Sequence, residues 1–483
     1  MTIETINTSN PFDVFLERVI IVMVGLPARG KSFLSKAIVR YLNFVGCPTA
    51  LFNAGSVRRD MQLTGSDANF FDDGNKEAVA LREKMAMMCL DRCLSYVSNH
   101  GPVGCRVAIL DATNTTRARR RNVLQRCHEH VKNVDPSVTV LFLETLADDP
   151  VLLEQNYRMK LNNEDYATKD PEQALTDFRE RVKKYEAVYE PVTDEEASEY
   201  PDFHYMKMFN AGQKLISYGV EGFLLRKIQR LIGSVHLRPH SIWIVLTAQT
   251  ENCRKGVLGG DSDVSGEGHE YARAVAQVLR EREECARKED FTKHGKDEMS
   301  TVTIYTGTKK AYKSLAHSVM RKLESETYLL TLGYANEICA GDLDSKSVAE
   351  LEFEHPDLMA ARRLDKLNFR YPGVGGESYV DLVGRVNEVT CLLEQSQGNS
   401  IVICDRAVYR CIKGYFLGHS IQEIPFLDVE KGVLELRRNN KGFTAIQFPV
   451  FQGKCNGRLK KEKRSAYYPA SIDKLTNTHP SNT

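Results

Sequence analysis

Between Val19 and Val24 the chain carries six apolar residues in a row, VIIVMV, with no polar alternation. This is the pattern of a strand covered on both faces. After a Gly-rich stretch, Leu34, Ile38, Tyr41 and Leu42 recur at helical spacing and predict a helix over 32–42. Further buried strands are predicted at TALF (49–52), VAIL (107–110) and VTVLFLE (138–144), separated by amphipathic stretches such as 76–97 and 171–188. A second series starts near Ser241, with strands at 241–247, 302–307 and 400–405 and helices at 267–283, 309–322 and 378–394. Strands alternating with helices predict an α/β protein with mostly parallel sheets and helices on both faces. Two domains are expected, over 18–238 and 239–453, with segment 224–240, ending in HLRPHS, as the boundary. Residues 1–17 read as a loose polar arm, and 454–483, with NGRLKKEKR, as a basic disordered tail.

Composition narrows the function classes. The 483 residues hold 65 Lys+Arg against 64 Asp+Glu, a formal charge of +1. A nucleic-acid partner is not expected, since such proteins carry a basic excess. No apolar run nears the ~18 residues of a membrane span, so no membrane partner is expected either. The N-terminus, MTIETINTSNPFD, lacks the basic and apolar regions of a secretory signal. Twelve Cys are scattered without a CxxC pair, and Cys89 and Cys93, one helical turn apart, read as two half-buried thiols rather than a metal site. A reducing, cytoplasmic location fits this usage.

The chemistry enters at Gly25-Leu26-Pro27-Ala28-Arg29-Gly30-Lys31-Ser32, which fits GxxxxGK[ST] between a buried strand and a helix. Glycines let backbone N–H groups close round a polyphosphate, and the helix N-terminus adds a favourable dipole. Lys31 would reach the β/γ oxygens and the Ser32 hydroxyl would ligate Mg²⁺. Asp111 ends the VAIL strand at the carboxyl edge of the sheet, where α/β ligands bind. It suits Mg²⁺ ligation or capture of the acceptor hydroxyl's proton, although a helix N-cap also fits the position. The arginine pair in FNAGSVRR and Arg82, Arg117, Arg119, Arg120, Arg158 and Arg181 supply planar forks suited to phosphate. Taken singly, each of these also suits a solvated helix surface. Together they describe a small-molecule kinase whose acceptor is itself a phosphate ester.

The strings VMVGLPARGKS, FNAGSVRRD and ILDATNTTRARRR closely resemble the kinase half of the 6-phosphofructo-2-kinase/fructose-2,6-bisphosphatase family. The resemblance continues through FLETLADDP, DFRERVKKYE and YMKMFNAG, and resumes at GGDS (259–262), NE (336–337), FRYP (369–372), GGESYVDLVGR (375–385) and AVYRC (407–411). It spans roughly 18–450 and implies a P-loop kinase domain followed by a histidine-phosphatase-like, phosphoglycerate-mutase-like α/β domain. By the resemblance, ATP would sit on Gly25 to Ser32 with Asn156 nearby, and Mg²⁺ at Ser32 and Asp111. Fructose 6-phosphate would lie on Arg59, Arg82, Thr113, Arg119, Arg181 and Tyr185. Lys31, Asp111 and Lys160 would be catalytic, with Lys160 between the two substrates. A family cysteine is replaced by Ala147, and the segment from Asn156 to Lys160 is one residue shorter than the family pattern. One residue is ~100° of helix rotation, which sets the direction of Lys160 in question. A homodimer is implied by the resemblance alone.

The second half departs further. The family's Arg-His-Gly-Glu falls on Leu246, Thr247, Ala248 and Gln249, its next phosphate-binding Arg on Ala311, and its second active-site His on Asp405. The family's catalytic acid remains as Glu337. Arg362, Lys366, Tyr379 and Arg410 match the pocket for the sugar's other phosphate, while a family Tyr is Val348. His269, His294, His317 and His419 lie outside the motif positions. The expectation is a kinase that makes fructose 2,6-bisphosphate, joined to a bisphosphatase domain without catalysis. Two alternatives stay open at this point: a P-loop kinase with another phosphorylated acceptor, and a regulatory pseudoenzyme that binds sugar phosphates without turnover.

Overall fold

The structure, a computed structural model, describes residues 17–61, 68–72, 74–99, 104–134, 138–161, 170–200, 202–236, 240–294, 301–439 and 442–450. The expected arm, apart from Glu17, and the expected basic tail lie outside these residues. The first sheet is built from β1 (Arg18–Val24), β2 (Thr49–Asn53), β3 (Arg106–Asp111), β4 (Val138–Leu146), β5 (His204–Phe209) and β6 (Lys214–Tyr218). Their spatial order is β2-β3-β1-β4-β5-β6, parallel throughout except for β6, which returns antiparallel to β5. The helices of this half are α1 (Lys31–Phe44), α2 (Ala54–Asp60), α3 (Lys76–Val97), α4 (Arg117–Asn133), α5 (Pro150–Lys160), α6 (Pro171–Ala187), α7 (Asp194–Ser198) and α8 (Phe223–Ser234).

All seven residues of β1 are buried, and the period of two sorts them between the faces. Val19, Ile21 and Met23 pack with Leu34, Ile38 and Tyr41 of α1 and Leu224 and Ile228 of α8. Ile20, Val22 and Val24 pack with Met85, Cys89 and Cys93 of α3 and Val123, Leu124 and Cys127 of α4. Cys89 and Cys93 are therefore fully buried core thiols, deeper than the half-buried setting expected for them.

The second sheet holds β7 (Ser241–Leu246), β8 (Val302–Thr306), β9 (Thr327–Thr331), β10 (Asn399–Cys404), β11 (Gly432–Asn439) and β12 (Gly442–Pro449), in the order β12-β11-β7-β10-β8-β9. The run β7-β10-β8-β9 is parallel, and the β11–β12 hairpin adds antiparallel at β7. Around it lie α9 (Glu251–Arg254), α10 (Gly266–His294), α11 (Lys310–Met320), α12 (Val348–Glu354), α13 (Pro356–Leu364), α14 (Tyr379–Gln395) and α15 (Arg406–Leu417). Trp243 and Val245 face α10 and α11, whereas Ile242, Ile244 and Leu246 face α14 and α15.

The two halves meet on more than a linker. Most of segment 224–240, expected as a boundary, is helix α8, whose Leu224, Leu225, Ile228, Leu231 and Ile232 are buried. One apolar cluster runs from β1 through α1 and α8 into α14, α15 and β7. Phe44 packs edge-on against Tyr415, ring centroids 5.2 Å apart. Across this seam Glu394 of α14, 1% exposed, pairs with Arg40 of α1 and Arg438 of β11. Tyr415 donates its hydroxyl to the same carboxylate at 3.1 Å. Burial favours a neutral acid there, yet the two guanidiniums hold the Glu394 carboxyl below its ordinary value. Arg230 of α8 adds a bidentate pair to Glu388 of α14 at the edge of the seam.

Removing one member of a buried ion cluster strands the others. Glu394→Ala is expected to cost about 3–5 kcal/mol in denaturant-induced unfolding. The native carboxyl titrates below the unfolded one, near 4.3. Its contribution is therefore complete above about pH 5 and is lost as pH falls through the native value. The gap between wild type and Glu394→Ala should close in acid unfolding.

Candidate functional site

The first cavity, about 1100 Å³, opens at the carboxyl edge of the first sheet. Its floor is the loop that leaves β1. Gly25 has φ +133°, its N–H donates to the Thr113 carbonyl at 2.9 Å, and a Cβ there would lie 2.6 Å from the Thr145 carbonyl oxygen. Only glycine fits, and the loop is thereby pinned between the ends of β3 and β4. Gly30, at φ +89°, turns the chain into α1. Pro27 to Ser32 line the cavity, while Gly25 and Leu26 lie behind it. Their carbonyls accept from Lys31 Nζ at 2.8 and 2.6 Å. Burial pushes the Lys31 ammonium down to about 7, opposed by Asp111 and reinforced by Lys160, Arg29 and Arg181.

Asp111, the last residue of β3, is buried and accepts from Asn53 Nδ2 at 2.6 Å. It is not a helix cap: Thr116 caps α4, with its hydroxyl accepting from the Arg119 N–H. Asn53 in turn caps α2 through the Ser56 N–H, so the helix carrying Arg58 and Arg59 starts at the acid's own partner. Asn156 donates to the Ala28 carbonyl at 3.0 Å from α5. Lys160 stands four residues further along α5, hence on the same face, and reaches the same cavity. Burial lowers its ammonium too, against Asp111 and with Arg181, Lys36 and Arg59. The shortened segment has not turned Lys160 away.

Arg59, Arg82, Thr113, Arg119, Arg181 and Tyr185 all line this cavity. Arg82 donates to the Phe71 carbonyl at 3.2 Å, and Arg119 pairs with Glu83. The Arg181 guanidinium lies 3.8 Å from the Phe71 ring centroid, with Tyr185 behind the same ring at 5.8 Å. Arg29 is spent on the walls, donating to Tyr157 at 3.1 Å and Glu186 at 3.3 Å. Arg120 is also structural. It is fully buried and doubly bonded to Glu196, with the Glu190 carbonyl at 2.8 Å. Asn53, Phe71 and Glu83 were missed from sequence, although the aromatic pair of NFFDDG in a polar stretch was a usable signal.

The second cavity, about 800 Å³, lies at the carboxyl edge of the second sheet. Leu246, Thr247, Ala311, Glu337 and Asp405 line it, as do Arg362, Lys366, Tyr379 and Arg410. The Thr247 N–H donates to the Cys404 carbonyl at 2.9 Å, and its buried hydroxyl has no hydrogen-bond partner among the described residues. Asp405 accepts from the Tyr312 hydroxyl, and Lys309 pairs with Glu337 at 2.8 Å. Burial, then Glu337, raises the Asp405 carboxyl to about 7, opposed by Tyr312 and Lys309. Lys309 and Tyr312 were not singled out in the sequence, because each is one ordinary residue of TGTKKAYK.

A P-loop on a mostly parallel sheet, facing a strand-end acid and an arginine cluster, defines a domain of P-loop kinase class, joined here to a second α/β domain. The 6-phosphofructo-2-kinase family matches residues 11–239, and the histidine phosphatase superfamily (branch 1) matches residues 305–447. The 6-phosphofructo-2-kinase/fructose-2,6-bisphosphatase of Gallus gallus is 33% identical over 408 residues, covering 84% of this chain and 79% of its own. The corresponding protein 1 of Bos taurus is 35% identical with the same coverage. The 6-phosphofructo-2-kinase 1 of Saccharomyces cerevisiae is 34% identical over 85% of this chain, which spans only 49% of that relative's length. The solved alpha-ribazole phosphatase of Shigella flexneri aligns at 15% identity over 44% of this chain and 100% of its own, with a TM-score of 0.35. The chain belongs to the 6-phosphofructo-2-kinase/fructose-2,6-bisphosphatase family.

Proposed function

We propose that the protein is a 6-phosphofructo-2-kinase, transferring the γ-phosphoryl group of ATP to the 2-hydroxyl of fructose 6-phosphate, and that its second domain does not hydrolyse the product. The observation that carries the first part is one cavity lined by Pro27 to Ser32, Asp111 and Lys160 together with Arg59, Arg82, Arg119 and Arg181. Several buried or half-buried cations share it, and a polyphosphate and a sugar phosphate supply the missing anions. Lys31 and the loop N–H groups would hold the β/γ phosphates, Asn156 would fix the loop, and Lys160 would bridge towards the acceptor. Arg59, Arg82, Arg119 and Arg181, with Thr113 and Tyr185, would hold fructose 6-phosphate. Phosphoryl transfer asks mainly for such positioning and charge.

The donor set suits Mg²⁺. No group of three metal-ligating His, Cys, Asp or Glu occurs among the described residues. The Asp111 carboxylate and the Ser32 hydroxyl are what the cavity offers, so an ion there would draw its other ligands from phosphate and water, as Mg²⁺ does. When bound, Mg²⁺ neutralises charge on the phosphates being transferred. Asp111, with one oxygen held by Asn53, keeps the other for the ion or for the acceptor's proton. No helix among the described residues is long and apolar enough to cross a membrane. A cytoplasmic homodimer, as the resemblance implies, completes the reading.

Covalent phosphatase chemistry needs an activated nucleophile and cations on the transferring oxygens. Among the described residues no base is hydrogen-bonded to the Thr247 hydroxyl, and Leu246 and Ala311 bring no charge. A phosphoryl group arriving there would also meet Glu337 and Asp405.

Lys31→Met should lower turnover with ATP and fructose 6-phosphate by orders of magnitude, and Lys160→Met should follow it. A coupled assay of ATP consumption checks both. Wild-type turnover in Lys31→Met would remove the nucleotide assignment.

Arg59→Ala and Arg181→Ala should raise KM for fructose 6-phosphate about 10- to 150-fold, the loss of one charged contact of about 1.5–3 kcal/mol. KM for ATP should stay within a few-fold, as read from initial rates with each substrate varied in turn.

Burial pushes the Lys31 ammonium down to about 7, and a bound phosphate beside it would hold it charged. ATP binding should therefore take up close to one proton at pH 8–9, and affinity should fall as pH rises above 7, by at most about tenfold per unit. Calorimetry in buffers of different ionisation enthalpy measures the uptake.

Incubation with fructose 2,6-bisphosphate labelled at the 2-phosphate should give neither released phosphate nor labelled protein. Release that persists in Lys31→Met would show an active second domain.

A further inference from the structure

The second cavity has two ends of opposite character. Arg362, Lys366 and Arg410 enter from α13, the segment after it and α15. Arg362 Nε donates to the Tyr371 hydroxyl at 2.7 Å and Lys366 Nζ to the Pro425 carbonyl at 2.5 Å. Arg410 donates to the Leu427 carbonyl at 2.8 Å and to the Tyr379 hydroxyl at 3.2 Å. All of these partners are neutral, so among the described residues three cations share the space with no carboxylate hydrogen-bonded to them. At the sheet edge the balance is reversed. Glu337 and Asp405 face a single ammonium, Lys309, and Tyr312 spends its hydroxyl on Asp405. At the rim, exposed Arg406 and Lys431 are matched in number by exposed Asp261 and Glu267.

Asp405 immediately precedes α15 and Arg410 lies five residues further on, roughly 7–8 Å along the helix axis, so the backbone of one helix reaches both ends. The groups acting on Asp405 are Glu337, Tyr312 and Lys309, and those acting on Lys366 are Arg410 and Arg362, so each end sets its own electrostatics. A ligand that satisfies both ends has one phosphoryl group and, at its far end, hydrogen-bond donors without negative charge. A second phosphate at the far end would meet the Glu337 carboxylate and the Asp405 carboxyl group, and find one lysine, already paired.

We infer that the second cavity is a binding site for sugar monophosphates carrying hydroxyl or ammonium donors at the end remote from phosphate, and that it discriminates against sugar bisphosphates. This rests on the reading of the domain as non-hydrolytic. Amino-sugar phosphates fit best, because an ammonium would pair with Glu337 and Asp405 while phosphate pairs with the basic end.

The test uses the full chain with Arg59→Ala and Arg181→Ala to silence the first cavity, titrated calorimetrically with glucosamine 6-phosphate, glucose 6-phosphate and fructose 2,6-bisphosphate. Glucosamine 6-phosphate is expected to bind one site at least tenfold more tightly than the bisphosphate, with glucose 6-phosphate between them. Lys366→Gln should weaken glucosamine 6-phosphate at least tenfold, and Arg410→Ala likewise. The isosteric Asp405→Asn should narrow the preference over the bisphosphate. Thermal unfolding of each variant checks that the fold is kept. Equal or tighter binding of the bisphosphate would overturn the inference. So would glucosamine 6-phosphate binding unmoved by Lys366→Gln and Asp405→Asn, or no binding at millimolar concentration. Phosphate released from the bisphosphate in the same samples would overturn the non-hydrolytic reading on which the inference rests.

Discussion

The carboxylate of Glu394 is the point through which the two halves of the chain are held in register. It is buried at the seam, and its oxygens are taken by guanidiniums from α1 and β11 and by the Tyr415 hydroxyl. Ion clusters of this kind contribute little net stability against an apolar replacement, but they tolerate few alternative arrangements. The apolar residues around it supply the larger driving force. Tyr41, Phe44, Leu224 and Ile228 are fully or almost fully buried, each worth about 1.5–3 kcal/mol. Because α1 begins at the phosphate loop and α14 and α15 border the second cavity, both cavities take their shape from the same joint.

The two cavities use one design with different charges. Each lies at the carboxyl edge of a mostly parallel sheet, with an acid at a strand end, Asp111 in one and Asp405 in the other. In the first, the acid stands among arginines and two lysines, and burial pushes the ammonium groups of Lys31 and Lys160 towards neutrality, a state that bound phosphate would reverse. In the second, the acid stands beside another acid and is itself pushed towards neutrality. The first arrangement stores affinity for anions. The second arrangement gathers its acids at the sheet edge and its cations at the far end.

Much of this was legible in the sequence. Central strands such as VIIVMV and SIVIC are continuous apolar runs that only a two-sided burial explains, and the phosphate loop is fixed by its own spacing. Strands β5, β6, β9, β11 and β12 were not legible, because they lie at or near the sheet edges, where polar residues such as Lys207 and Lys214 break the apolar pattern. The charged residues divided in the same way. Arg59, Arg119 and Arg181 could be placed through motif matches, but apart from the match nothing local separates Arg119, which lines the cavity, from Arg120, which is buried against Glu196 one residue later. Helix rotation makes that distinction, and Glu196, 76 residues away, is invisible in a local reading. Phe71 was hidden for the same reason. Its function is to present a ring face to an arginine that arrives 110 positions later in the chain.

The continuous core also bears on how such a chain can change over generations. A domain without catalysis, as proposed here for the second, is ordinarily free to be deleted. Here deletion would uncover the α1 and α8 faces and leave Arg40 without its counter-ion, so the first domain would lose folding yield along with its neighbour. Leu246 and Tyr379 belong to both the cavity and that core, but substitutions at Thr247, Lys309 and Asp405, which lie outside it, carry no such penalty. The joint therefore keeps the second domain in the gene while releasing its cavity to drift, and a released cavity retained in every copy is raw material for a new specificity.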